Sequence, residues 1–176
     1  LVGQPNMNSF LDKIFFRSNN LDYVSQNIKD LTKNTSAEKI FDSINSYSSQ
    51  SEIRYVGGCI RKILNKEKVD DIDLATNLKP KQVCDALKKN NINYYESGIN
   101  HGTITAIYNE YKFEITTLRK DVFTDGRHAK VEFSNNWKED SLRRDFTINS
   151  IYSDRDGNLF DPHNGKKDLE NGIINF

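Results

Sequence analysis

Surplus charge is the first thing this sequence lacks. Its 176 residues carry 25 lysines and arginines against 25 aspartates and glutamates, a formal net charge of zero. A basic field that would hold nucleic acid from any side is thereby excluded, so any RNA contact has to be local or supplied from outside the chain. Long apolar runs are missing too: none approaches the thickness of a bilayer, and no charged-then-apolar signal segment opens the chain. A soluble, cytoplasmic protein with no membrane partner is expected. Cysteine is scarce. Cys59 and Cys84 stand alone, which excludes a disulfide framework, and His101, His128 and His163 are too dispersed for a zinc site. There is no repeat, low-complexity tract or internal linker, and the length suits one domain with a real core. Residues 1–6, ahead of the single methionine Met7, are left out of the fold reading.

What is present is organised around residues 53–76, IRYVGGCIRKILNKEKVDDIDLAT. A short apolar strand ends at Gly57 and Gly58, an amphipathic helix starts there, a Lys-rich turn follows, and a second strand carries Asp71 and Asp73. A glycine pair at a helix start lets an anion approach backbone N–H groups where the helix dipole also favours negative charge. Phosphate is the natural guest. Cys59, Ile60, Ile63 and Leu64 recur at helical spacing as the buried side, leaving Gly58, Arg61, Lys62 and Asn65 on the other. Cations in a first turn oppose the dipole by a few tenths to about 1 kcal/mol, a sign that a bound polyphosphate would reverse. On a strand, positions i and i+2 share a face, so Asp71 and Asp73 point together while Ile72 and Leu74 point into the core. Paired carboxylates beside a phosphate site suit a divalent metal ion. Asp154 and Asp156 have the same spacing but fall in an Asp-Gly turn and read as punctuation.

Upstream, residues 8–49 read as two or three helices without chemistry of their own. Phe10, Leu11, Ile14 and Phe15, then Leu21, Val24, Ile28 and Leu31, then Ile40, Phe41 and Ile44 keep the helical period, with a start signal at Thr35 or Ser36 and Glu38 close behind. Downstream, Pro80 opens a helix with Val83, Cys84 and Leu87 on its buried side, and residues 91–96 suit an edge strand. A hairpin over 103–118 turns at Asn109-Glu110 and sets Tyr111, Phe113 and Ile115 against Lys112, Glu114 and Thr116 on opposite faces. Glu114 as a third carboxylate beside the Asp pair would complete a site for two metal ions. Residues 119–130, RKDVFTDGRHAK, have no period and read as a loop. Arg143 and Arg144, each a planar fork of donors, suit phosphate and nucleotide hydroxyl groups. Asp156-Gly157, Asp161-Pro162 and Asn164-Gly165 mark turns towards the end.

In this order the pieces resemble the class II tRNA nucleotidyltransferases and the closely related bacterial poly(A) polymerases, of the polymerase-β-like superfamily. The matching blocks are Val56-Gly57-Gly58-Cys59-Ile60-Arg61, Asp71-Ile72-Asp73-Leu74-Ala75-Thr76, His101-Gly102-Thr103-Ile104-Thr105, Phe113 to Arg119, Asp125-Gly126-Arg127-His128, and Arg143-Arg144-Asp145-Phe146-Thr147-Ile148-Asn149. The resemblance implies an α/β (α+β) fold: a catalytic head with a small mixed sheet flanked by helices over residues 51–176, preceded by a helical extension over 1–50. It implies that Asp71 and Asp73 hold Mg2+, that Glu114 is a third acidic catalytic position, and that Gly57, Gly58, Arg61, Arg143, Arg144, Asp145 and Asn149 bind the nucleotide. CTP and ATP would be the donors and a tRNA 3′ end the acceptor. Residues 119–128 resemble a loop that moves between steps of CCA addition. Three positions depart from the family's pattern: Lys62 for the usual Asp, Ser150 for Ala, and Ala129 for Pro. The resemblance implies that these residues stop before the family's Glu-Asp-x-x-Arg neck helix and the RNA-gripping domains beyond it, and Glu139-Asp140-Ser141-Leu142-Arg143 matches that string by letters only, as the lead-in to the Arg-Arg-Asp block. Three readings therefore stay open: CCA addition, poly(A) synthesis, and a truncated nucleotide-binding head that needs a partner or a missing C-terminal region.

Overall fold

A computed structural model describes residues 10–123, 125–126, 129–144 and 148–160. The elements in chain order are α1 (Phe10–Asn34), α2 (Glu38–Asn45), β1 (Ile53–Val56), α3 (Gly57–Leu64), β2 (Asp71–Thr76), α4 (Pro80–Lys89), β3 (Asn93–Gly98), β4 (Thr103–Tyr108), β5 (Tyr111–Thr117), β6 (Arg119–Phe123), β7 (Ala129–Phe133), α5 (Trp137–Leu142), β8 (Tyr152–Ser153) and β9 (Leu159–Phe160). Single 3-10 turns lie at Ile99–His101 and Ile148–Ser150.

One-sided alternation builds the main sheet. Ile53 and Tyr55, Ile72 and Leu74, Ile104 and Ala106, and Phe113 and Ile115 are all buried, and the strand registers put them on a common face. Seven strands pair in the order β3-β4-β5-β2-β1-β8-β9. Among the described strands only β2 and β5 run parallel; the other neighbours are antiparallel. The sheet is thus the expected small mixed one flanked by helices, and each fully buried Ile or Leu in it contributes about 1.5–3 kcal/mol.

The helices cover that apolar face. Val24 and Ile28 of α1, Ile40, Phe41 and Ile44 of α2, Cys59, Ile60 and Ile63 of α3, and Val83, Cys84 and Leu87 of α4 join the strand residues in one continuous core. Tyr55 would carry an unpaid hydroxyl into this core, but the Thr32 hydroxyl meets it at 2.8 Å. The N-terminal helices are also tied to the turn between β8 and β9. Ser25 Oγ donates to the Gly157 carbonyl at 2.8 Å, Thr32 Oγ1 lies 2.9 Å from the Arg155 carbonyl, and Arg155 pairs with Asp42 at 2.6 Å. Gly157 has φ +83°, and a Cβ there would lie 2.3 Å from the Ser25 carbonyl oxygen.

Two local expectations need correction. Residues 119–130 are not an irregular loop: β6 and β7 form an antiparallel ribbon from Arg119↔Phe133 to Phe123↔Ala129. Both its faces meet solvent: Phe123 (71% exposed), Val131 and Phe133 share one exposed face, and Lys130 and Glu132 lie on the other, so backbone pairing holds it although Ala129, Val131 and Phe133 alternate with Lys130 and Glu132 along β7. The second helix does not start on a Thr35 or Ser36 cap. Its N-cap is Ala37, without a side-chain cap; Thr35 Oγ1 instead donates back to the Leu31 carbonyl, and Ser36 takes φ +58°. The described residues of 8–49 form two helices, α1 and α2; residues 8 and 9 and the side chains of Phe10, Leu11, Ile14 and Phe15 lie outside the described ones. The Asp161-Pro162 and Asn164-Gly165 turns also lie outside the described residues, as do Arg127, His128 and Asp145. Four further expectations hold: Pro80 opens α4, β3 is an edge strand, Asn109 and Glu110 take the positive φ of a two-residue hairpin turn, and the Asp154 carboxylate accepts from the N–H groups of Asp156 and Asn158.

Candidate active site

The opposite face of the sheet carries the chemistry. Alternation that buries Ile72 and Leu74 leaves Asp71 exposed and Asp73 half-buried on the other side. The parallel pairing then sets Asp73 opposite Glu114 and Asp71 opposite Lys112. Glu114 is in turn opposite Thr105 on β4, whose hydroxyl meets that of Ser97 on β3 at 2.7 Å. A row of oxygen-bearing side chains, Asp73, Glu114, Thr105 and Ser97, therefore crosses four adjacent strands. The Glu114 carboxyl is pushed above the usual carboxylate range, first by burial, then by its hydrogen bond to Asp73 and the negative charges of Asp73 and Asp71; Lys62 opposes the rise.

Helix α3 brings its start to these carboxylates. It has no side-chain N-cap, so its first N–H groups remain available to an anion. A Cβ at Gly58 would lie only 3.1 Å from Asp73 Oδ2, which is the steric reason for a residue without a side chain there. Cys59 faces the other way, buried, with its thiol 3.7 Å from the Asp73 carbonyl. Arg61 and Lys62 are half-buried, and among the described residues neither has a carboxylate within ion-pair distance. Lys62 lies one turn beyond Gly58 on nearly the same stripe, and helical side chains lean towards the N-terminus, so its ammonium is directed to the Asp73 side. Asn149 sits on the 3-10 turn that packs against α3.

The two arginines are not a paired clamp. Arg143 Nε donates to Asp121 on β6 at 3.0 Å, whereas Arg144 donates through Nε and Nη2 to Asp140 at 3.2 and 3.1 Å. Asp140 is the residue that sequence spacing does not single out. It is 3% exposed, and beyond Arg144 it accepts from the Tyr152 hydroxyl at 2.7 Å and from the Arg119 N–H at 2.9 Å. The one local signal for it is its i,i+4 relation to Arg144. Burial alone would lower the Arg144 pKa; the neighbouring Asp140 charge more than offsets this, and the net shift is upward. Nearby, the Arg54 guanidinium is stacked between Trp137 and Phe160, 4.1 and 3.9 Å from their ring centroids.

The donor set suits a hard divalent cation. Among the described residues no group of three or more His, Cys, Asp or Glu is arranged to hold a metal ion by itself. Mg2+-type ions take one or two carboxylates and fill the remaining positions with phosphate and water oxygens, and the Asp71–Asp73 pair beside an anion-receptive helix start offers that combination. The described residues contain no helix long and apolar enough to cross a membrane.

Comparison with known proteins places this arrangement. The profile of the Poly A polymerase head domain matches residues 53–175. CCA tRNA nucleotidyltransferase 1, mitochondrial, from Homo sapiens is 49% identical over 126 residues, which are 71% of this chain and 29% of that protein. The CCA-adding enzyme of Lactobacillus delbrueckii subsp. bulgaricus is 38% identical over 125 residues, 70% of this chain and 31% of that enzyme. Among solved structures, the Bacillus stearothermophilus CCA-adding enzyme in complex with CTP superposes with a TM-score of 0.60 at 28% identity, covering 74% of this chain and 30% of that one. The chain thus spans about 30% of the length of these relatives. Nucleotidyltransferases of this kind use divalent metal ions. With more than half its length matched and the carboxylate-bearing sheet in place, the chain belongs to the Poly A polymerase head domain family.

Proposed function

We propose that this chain is the catalytic head of a template-independent RNA nucleotidyltransferase that transfers CMP and AMP from CTP and ATP to a tRNA 3′ end, as in CCA addition or repair. The observation that carries this reading is the convergence of Asp71, Asp73 and Glu114 on one sheet face beside the uncapped start of α3. In the transfer, the RNA 3′-oxygen bonds to the α-phosphorus, the α–β anhydride bond breaks, pyrophosphate leaves and the hydroxyl proton is released. Asp71 and Asp73 are the residues that would hold magnesium, which when bound polarises the hydroxyl and neutralises charge on the triphosphate. The protein's own part is positioning. The N–H groups at Gly57 and Gly58, with Arg61, receive the triphosphate, and Lys62 adds a cation on the same helix face. Glu114 extends the acidic face from Asp73 towards β4. Arg143, Arg144, Asp145 and Asn149 would complete the nucleotide site, Asp145 being outside the described residues.

The names of the human and bacterial relatives, and the CTP in the Bacillus stearothermophilus complex, support this choice of substrates. Two unbonded, buried cysteines support a reducing compartment; the cytoplasm is the reading from sequence, while the human relative is named mitochondrial. The matched profile is named for poly A polymerase, which makes poly(A) synthesis the second reading. The third is a nucleotide-binding head that transfers only with a partner or a C-terminal region, and the short share of each relative that the chain spans favours testing it.

The test is incubation with CTP, ATP, Mg2+ and tRNA that ends before CCA, followed by sequencing of the products. Added CCA supports the first reading, and a long A tail without C replaces it with the second. Labelled ATP bound without transfer, with transfer restored by a C-terminal fragment of a relative, selects the third.

A further inference from the structure

We infer that Asp140 is a positioning residue for nucleotide binding: together with Tyr152 it holds one edge of the Arg144 guanidinium and so turns the free edge towards the incoming nucleotide. The inference rests on the reading of Arg144 as a nucleotide-contacting residue.

The geometry is specific. Both Nε and Nη2 of Arg144 go to Asp140 Oδ2, and the Tyr152 hydroxyl donates to the same oxygen. The other carboxylate oxygen takes the Arg119 N–H at the start of β6. Asp140 therefore cannot rotate without giving up a backbone bond. Tyr152 is itself fixed, fully buried and edge-on to Trp137 with ring centroids 5.1 Å apart and planes at 79°, and the Arg144 guanidinium lies 5.5 Å from the Tyr152 ring. One edge of the guanidinium is thus occupied and one side is walled by an aromatic ring. Three donors remain, two on Nη1 and the second on Nη2, on the edge turned away from Asp140, and the side chain is 26% exposed. An arginine held this way presents its open donors to a phosphate or ribose oxygen without having to lose rotamer freedom on binding. Nothing comparable holds Arg143, whose Asp121 partner is on the exposed ribbon and itself exposed.

Asp140→Asn keeps the shape and an acceptor but removes the charge, and the test measures ATP and CTP affinity of the full 176-residue chain with Mg2+ by calorimetry. Asp140→Asn is expected to weaken nucleotide binding about tenfold while Mn2+ binding in the absence of nucleotide is unchanged. In an Arg144→Gln background the same substitution should add no further loss, because a residue acting through Arg144 has nothing left to position. Losses that multiply in the double variant, or unchanged affinity in a folded Asp140→Asn protein, overturn the inference. Should Asp140→Asn fail to fold, the unaltered chain still decides. Its Arg144 Nε–H resonance should keep its position when ATP is added, and its release on ATP binding overturns the inference. A chain that binds neither ATP nor CTP removes the proposed function and this inference together.

Discussion

Asp73 and Glu114 are direct partners across the one parallel strand pair among the described strands, and partial burial together with the neighbouring Asp73 holds the Glu114 carboxyl above the usual carboxylate range. Two carboxylates so placed repel each other unless a proton or a cation lies between them. The pair is therefore set to respond to a divalent ion, and four expectations follow from it and from the packing around it.

Replacing Asp71 or Asp73 by Asn should abolish metal-dependent transfer, by at least about a hundredfold, and remove Mn2+ binding read by paramagnetic relaxation. Asp71 is exposed and Asp73 half-buried, so the melting temperature should stay within a few degrees, and for Asp73→Asn it should rise if relief of repulsion from Glu114 dominates. Full activity in either variant would sink the metal assignment.

Gly58→Ala separates helix stability from site geometry. Alanine favours a helix over glycine by up to about 1 kcal/mol, but its Cβ would lie 3.1 Å from Asp73 Oδ2. The carboxylate has to move by a few tenths of an ångström. The expected result is an unchanged or slightly higher melting temperature with Mn2+ affinity reduced about tenfold; equal affinity would mean that the carboxylate position is not critical.

High pH should unfold the protein early. Burial pushes the Cys59 thiol up to about 12, and burial likewise raises the hydroxyls of Tyr55 and Tyr152. Because these folded-state values lie above the unfolded ones, the stability linked to them is complete below the unfolded pKa and is lost as pH climbs through the folded value. For Cys59 the loss starts above about 8.5, the unperturbed thiol value, and runs to about 12. Circular dichroism melts at pH 8, 10 and 11 should show a steady fall. The same burial predicts that Cys59 resists a thiol reagent at pH 8 until denaturant is added.

Gly157→Ala should be costly in stability. The residue has φ +83°, and its new Cβ would collide with the Ser25 backbone of α1. A loss above about 2 kcal/mol is expected from strain and displacement combined, read as a shift in urea midpoint at constant slope. A neutral outcome would mean that the turn does not rest on α1 in solution.

Much of this was legible in residues with one wet and one dry face. Strand β2 shows its buried Ile72 and Leu74 against Asp71 and Asp73 because alternation along a half-buried strand is a period-two signal, and Tyr111, Phe113 and Ile115 repeat it on β5. The pairing that brings Asp73 to Glu114 is different in kind. It depends on which strands become neighbours: the strand reading offered Glu114 as a third carboxylate only conditionally, and the family resemblance strengthened it. Ribbon β6–β7 left only a weak trace, the alternation of Ala129, Val131 and Phe133 on β7, since neither of its faces is dry and β6 has no such period. Asp140 was illegible for a related reason: its partners Arg119 and Tyr152 are 21 residues before and 12 residues after it, and no local period encodes a hydrogen bond over such a separation.

The Thr32 hydroxyl, shared between Tyr55 at the start of the sheet and the Arg155 carbonyl near its end, bears on how the molecule should be cut for laboratory work. The matched family profile begins at residue 53, and a gene trimmed at that boundary would discard α1 and α2. Such a product would expose Ile53, Leu74 and Phe113 to water and strand a phenol in the interior without an acceptor. Trimming should therefore keep at least Leu21 onward, since Leu21, Val24, Ile28 and Leu31 pack on the core.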